Sequence, residues 1–257
     1  MGPKTRRVVR AVAIATVPVF SVLFGSAAAA PAGPPSAAPS SEAPPPAVAA
    51  AGIPASYYVR DTVSHIAKLQ SDLALTDGTF DANVDAATAS LSGTLSLPPT
   101  PDAYFVAFRF MPATSTVELV PDGPQGGLLL KNPGDAGEVA QRPFPDGNSY
   151  LSVIADLTLR VDIRLSEATV DGRVLDLGED CRTAAPVEIR LKGVIGLQPT
   201  APPTKMTTTF AIPPFSGCRG HENLDRLITG LVSGPGNTLN TTIAVRCVGT
   251  CEADAAR

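Results

Sequence analysis

The sequence predicts a mainly β protein: an antiparallel, long-stranded sandwich or curled sheet with two minor helices. Three observations carry this. From Leu151 to Leu165 every odd position is apolar (Leu151, Val153, Ala155, Leu157, Leu159, Val161, Ile163, Leu165), whereas the even positions are polar except Ile154. Side chains on a strand alternate faces, so this ribbon is oily on one side and hydrated on the other. Fifteen residues at about 3.3 Å each span roughly 50 Å, far beyond an ordinary strand, so other strands are expected to pair with it. Shorter alternating runs lie on both sides of it in the chain. Finally, Asp171-Gly172 stands between apolar runs, the turn chemistry of a tight hairpin.

The first residues carry Lys4, Arg6, Arg7 and Arg10, then an uncharged apolar run over 11–25 and small residues over 26–30. That three-part pattern predicts a secretory signal peptide over 1–30, cleaved between Ala28 and Ala32. Thr5-Arg6-Arg7-Val8-Val9 partly matches a twin-arginine signal, but Arg10 replaces an apolar residue, so the general route is preferred. No cysteine precedes Cys181, which excludes a lipid-anchored cysteine at the cleavage point. Residues 31–54 are mostly Pro, Ala and Ser with Glu42 as their one charge, the composition of an extended spacer. Residues 55–257 then make a single β-rich domain, with no membrane span after cleavage.

The formal net charge is -4, and losing the four leader cations takes it to -4 - 4 = -8. Nucleic-acid binders are basic, so nucleic acid is excluded as a partner, as is purely electrostatic binding to anionic lipid. Tryptophan is absent, which argues against the aromatic platforms of sugar sites. Four cysteines, Cys181, Cys218, Cys247 and Cys251, fall in the last third of the chain. An even count in an exported chain predicts two disulfides. Of three possible pairings, Cys181–Cys218 with Cys247–Cys251 is preferred, because the second pair closes a small loop at a strand end.

Along the domain, Val59, Val63, Ile66, Leu69 and Leu73 have the spacing of one helix face, predicting a helix over 55–73 with Ser56 as its cap. His65 beside this stripe is read as a surface residue. Over 79–97 the alternation changes parity near Ala87, predicting a bulge or bend. Residues 104–110 are dense in aromatics, predicting a strand buried on both faces that Pro112 breaks or bulges. Residues 115–120 resume the alternation. Residues 121–148, rich in Gly, Pro and Asp, predict a long surface excursion with a short strand at Leu128–Leu130. Strands are expected over 174–177, 187–197, 206–212 and 239–245. Leu224, Leu227, Ile228, Leu231 and Val232 predict a short helix that Asn223 caps and Gly234-Pro235 ends.

Two stretches resemble a known kind of protein. They are Leu175-Asp-Leu-Gly-Glu-Asp-Cys181-Arg-Thr-Ala-Ala-Pro186, and Phe210-Ala-Ile-Pro-Pro-Phe-Ser-Gly-Cys218 together with the segment Asn223 to Asn237. They are similar to pieces of exported, β-rich actinobacterial proteins with no established activity. The resemblance implies secretion and the Cys181–Cys218 pairing, and it implies no catalytic residue.

Candidate chemistry is sparse. His221-Glu222-Asn223-Leu224-Asp225 imitates the zinc-protease H-E-x-x-H with Asp225 in place of the second histidine; Asn223 as a helix cap explains it more simply. Asp77, Asp81, Asn83 and Asp85 imitate a calcium loop without its central Gly or closing Glu. Only two histidines exist and no G-x-S-x-G elbow. Gly230 to Gly236 is glycine-rich but lacks a phosphate loop's Lys-Ser/Thr ending. No catalytic, cofactor or metal residue is assigned and no cofactor is expected. The expected function is a secreted, non-enzymatic binding protein for an apolar or lipid-like small molecule, extracellular or wall-associated. The alternatives are a structural or adhesive module acting on a cell-envelope component, and a hydrolase using His221.

Overall fold

The computed structural model describes residues 52–249 and Cys251. The expected signal peptide over 1–30 and nearly all of the expected spacer over 31–54 lie outside these residues. The spacer's last two residues, Ile53 and Pro54, already belong to the first strand. In chain order the elements are β1 (Ile53–Ile66), β2 (Ser71–Ala74), β3 (Gly78–Asp85), β4 (Ser90–Ser96), β5 (Thr100–Ala107), β6 (Met111–Pro121), β7 (Gln125–Leu130) and β8 (Ala140–Pro143). Then follow β9 (Ser149–Val170), β10 (Arg173–Leu175), β11 (Arg182–Thr183), β12 (Val187–Gly196), β13 (Thr204–Ile212), β14 (Phe215–Ser216), helix α1 (Asp225–Val232) and β15 (Gly234–Val248). The class is mainly β, and the strands form one antiparallel sheet.

β9 is the ribbon read from the sequence, lengthened to 22 residues. Val153, Ala155, Leu157, Leu159, Val161 and Ile163 are buried, while Thr158, Arg160 and Arg164 are exposed. A residue in a sheet faces one partner on each edge, so paired registers assign the edges. Ser152 faces Ala140 and Gly196, Asp156 faces Leu128 and Lys192, and Val161 faces Pro121 and Val187. Arg164 faces Glu118 and Arg182, and Val170 faces Ala113 and Arg173. One edge of β9 therefore carries β6, β7 and β8 in succession, and the other carries β10, β11 and β12. At the join between β6 and β7 the ladder is repaired by a side chain: Gln125 Oε1 accepts the Arg160 amide at 2.6 Å.

The sheet continues from β7 through β4, β3 and β1 to β15 and β13. It does not close: β13 pairs with β15 and β12 pairs with β9, but β12 and β13 share no ladder. They nevertheless run close. A Cβ at Gly193 of β12 would sit 2.9 Å from Met206 Cε of β13. Inward side chains from the two halves, among them Val59, Phe80 and Leu239 against Leu157, Val161 and Ile189, form one apolar core.

Several expectations need correction. The helix over 55–73 is instead β1, a turn and β2. Ala55, Tyr57 and Val59 are buried, then Thr62, Ser64 and Ile66, then Leu69 in the turn. A register shift between Arg60 and Val63, with Asp61 at φ 49°, moves the inward parity by one residue. The resulting step of three imitates helical spacing. Ser56 caps nothing; its hydroxyl donates to Asp81 Oδ1 at 2.5 Å. α1 is thus the one helix among the described residues, not one of two. The parity switch near Ala87 is the reversal between β3 and β4, not a bulge. Residues 104–110 are not buried on both faces: they form the end of β5 and an exposed hairpin tip, with Phe110 74 % exposed. In the 121–148 excursion the short strand expected at Leu128–Leu130 is the end of β7, and β8 is an addition; both pair with β9. Gly126 and Gly127 serve close packing, since a Cβ at Gly127 would lie 2.0 Å from the Asp156 carbonyl oxygen.

Candidate functional site: an apolar path beneath helix α1

α1 forms where the sequence places its apolar stripe, but that stripe is only partly covered: Ile228 is buried and Leu227 is 41 % exposed. Eight residues is short for a helix, and Gly230 inside it weakens it by about 1 kcal/mol relative to Ala. Tertiary anchors must hold it, and they lie towards β14 and the first disulfide. Asp225 Oδ1 accepts the Cys218 amide at 2.8 Å, and Arg219 Nε lies 3.5 Å from Asp225 Oδ2. Thr229 Oγ1 accepts the Phe215 amide at 2.9 Å. At the helix start Leu224 occupies the cap position, and Asn223 contributes by accepting the Asp225 amide at 3.0 Å. The Cys181–Cys218 disulfide ties this corner to β9, where the Leu165 amide donates to the Cys181 carbonyl at 2.9 Å.

Leu227, Ile228, Leu231 and Val232 cover a gap of about 180 Å³, floored by inward residues of β5, β9 and β10 such as Phe105, Ala168 and Leu175. Its rim includes Phe108, 53 % exposed, and Leu227. Phe105, Leu165 and Val232 also border a second gap of about 70 Å³ inside the sheet, among Leu69, Leu73 and Ile163. Leu119, Ile189 and Leu239 separate that one from a third, about 60 Å³, between Phe80 and Leu157. Three apolar gaps thus lie in series from the rim to the centre of the core. Most polar side chains in their walls are hydrogen-bonded within the protein, Ser64 and Ser71 of the second gap being the exceptions. Thr62 and Thr241 share a 2.8 Å bond, Thr114 and Thr169 a 2.7 Å bond, and Ser115 donates to the Ser166 carbonyl at 2.9 Å.

A wider groove, about 740 Å³, lies beside the Cys247–Cys251 disulfide on the outer side. Its lining is mixed, polar and apolar, and two of its residues, Ser56 and Asp81, hydrogen-bond each other. The residues singled out as imitating calcium ligands have local duties there and nearby. Asp77 Oδ1 accepts the Asp61 amide at 3.1 Å. Hydrogen bonds from Thr88, side chain first and then backbone, hold the Asp85 carboxyl below its ordinary range.

The cysteines pair as Cys181–Cys218 and Cys247–Cys251. His221 precedes α1 rather than lying on it, so His221 and Asp225 do not share a helix face. Its side chain is 95 % exposed, with Nε2 3.8 Å from Asp176 Oδ2. His65 Nδ1 meets Asp72 Oδ1 at 2.7 Å across the β1–β2 hairpin. Among the described residues no three His, Cys, Asp or Glu side chains are grouped to hold a metal ion. No helix of the described residues is long and apolar enough to cross a membrane. The aromatic density of 104–110 predicts burial for Phe108, which is instead exposed at the rim; the close run of Phe105, Phe108 and Phe110 is the feature that marks this tip.

No family model, no curated protein and no solved structure matches this chain.

Proposed function

We propose that the protein is a secreted, non-enzymatic binder of an apolar, lipid-like molecule that enters beneath α1. The observation that carries this reading is the series of apolar gaps running from the Phe108–Leu227 rim to the core. The outer gap, about 180 Å³, compares with cavities of about 150 Å³ that stay dry and take up benzene. Common ligand pockets occupy roughly 300–1,000 Å³. The guest is therefore slender, a single acyl chain or small ring system, and α1 yields as it goes deeper. Because the walls are apolar apart from a few hydroxyls, the inserted part of the guest is mainly hydrocarbon. The leader pattern and two disulfides support an extracellular location, and the Pro-rich spacer supports attachment near the cell wall.

Uptake of an environment-sensitive apolar fluorophore tests this directly. Leu231→Phe adds bulk to the outer gap and is expected to weaken uptake at least tenfold while leaving the fold intact. Native mass spectrometry of protein purified from its own host is expected to show a co-purifying lipid. Ligand-free spectra together with no fluorophore uptake would overturn the reading. A second reading, a structural module of the cell envelope, is favoured by the smallness of the two inner gaps, about 70 and 60 Å³. Under it the protein fractionates with the wall and takes up no probe; a freely diffusing protein would count against it.

A further inference from the structure

We propose that the β5–β6 hairpin tip is a bilayer-docking element that inserts Phe108 and Phe110 into a phospholipid surface. This rests on the binding reading above, since Phe108 also forms the rim of the outer gap. The tip is Phe108-Arg109-Phe110, between the facing residues Ala107 and Met111. Phe108 and Phe110 are 53 % and 74 % exposed, and Tyr104 further back on β5 is 58 % exposed.

The backbone shows that these residues are not there to make the turn. Phe108 and Arg109 adopt φ 53° and 69°, the left-handed region that favours Gly, Asn and Asp. The β9–β10 hairpin beside it turns through the same region at φ 50° and 71°, with Asp171 and Gly172. The two turns are neighbours, because the Asp171 amide donates to the Pro112 carbonyl at 2.8 Å. One hairpin uses the residues that turn chemistry selects. The other carries a phenyl ring and a guanidinium in the same conformation, and exposes both.

The charges at this end complement a phosphate layer. Arg109 on the tip, Arg173 on the adjacent hairpin and Arg226 beside Leu227 on α1 are all exposed. None of the three forms an ion pair with another described residue. The acids nearest them in the chain are Asp171, on the adjacent turn, and Asp225, which lies against Arg219. A narrow convex tip cannot supply the roughly 800 Å² per partner of a stable protein interface. Paired phenyl rings with flanking arginines do suit the boundary between acyl chains and headgroups, where rings sink and guanidinium groups stay at the phosphates. Docking there sets the mouth of the apolar path against the lipid from which a guest would come. The overall negative charge is no obstacle, because insertion of the rings drives the contact.

The chain has no tryptophan, so Phe110→Trp installs a single reporter. Its emission is expected to shift to the blue on adding phosphatidylcholine vesicles, and more so with phosphatidylglycerol present. Brominated acyl chains are expected to quench it. The double variant Arg109→Gly, Phe110→Ser should lose at least tenfold in vesicle co-sedimentation with an unchanged or higher Tm. Unchanged emission with both vesicle types, or co-sedimentation that survives the double variant, would overturn the proposal. Fluorophore uptake without vesicles separates the two readings. A double variant that takes up probe normally but ignores vesicles places the loss in docking, whereas a wild-type chain that inserts but takes up no probe leaves docking standing and removes the ligand.

Discussion

Removing the Cys181–Cys218 disulfide by the paired change Cys181→Ala, Cys218→Ala should expose how much of the fold depends on a single crosslink. The two sulfurs close a loop with a sequence separation of 37, and both residues are almost fully buried. In the chain-entropy relation a loop of that length costs the denatured chain about 13 cal/mol/K, or about 4 kcal/mol at 25 °C. The same relation gives the Cys247–Cys251 pair, with a separation of 4, only about 2 kcal/mol. Alanine keeps both buried sites apolar, so no unsatisfied group is created. A domain of this size loses roughly 2–4 °C of Tm per kcal/mol, so the first variant should melt about 8–16 °C lower and the second about 4–8 °C lower. Urea denaturation of each variant beside wild type, without reductant, is the assay. The Cys181–Cys218 variant should also take up an apolar fluorophore faster, because its disulfide helps to hold the corner that anchors α1. A loss below about 1 kcal/mol for the long-loop pair, or a greater loss for the short-loop pair, would refute this reasoning.

Three further outcomes follow from particular side chains. Leu157→Ala, in the middle of β9 and 7 % exposed, should cost about 2–5 kcal/mol in denaturant melts, the range for a truncated core leucine. Tyr57 is buried, its hydroxyl has no hydrogen-bond partner, and burial pushes its pKa well up; Tyr57→Phe should therefore leave stability unchanged or raise it by about 1 kcal/mol. The Asn132 amide and then Arg142 hold the Asp135 carboxyl below its ordinary range. A depressed carboxyl contributes stability above its unfolded pKa of about 3.9 and loses it as pH falls through the lower folded value. Asp135→Asn should lower Tm at pH 7 and flatten the acid limb of the Tm–pH profile; an acid limb identical to wild type would remove Asp135 from that role.

How far the sequence revealed this fold depends on whether each pattern stayed local. β9 could be read because one face remains apolar along its length, with Ile154 departing where Ser152 and Ala155 are buried as well. The Asp171-Gly172 hairpin and α1 could be read because their signals are complete within a few residues. β1 was hidden because the bulge at Asp61 turned a period of two into a step of three. Only the end of β7, Leu128–Leu130, could be read, because the glycines that let its start lie between β4 and β9 resemble those of a loop. The candidate site was the least legible part. Its walls come from β1, β5, β9, β13 and α1, segments far apart in the chain, and its rim sits in a turn whose residues contradict turn chemistry.

The most direct test of the account is methyl NMR on selectively labelled protein titrated with a medium-chain fatty alcohol. Entry beneath α1 predicts saturable shifts that begin at Leu227, Leu231 and Val232 and extend to Leu165 and Ile189 as the chain reaches the core. Methyl resonances that stay fixed throughout the titration, or that move only at the outer groove by Cys247, would contradict it.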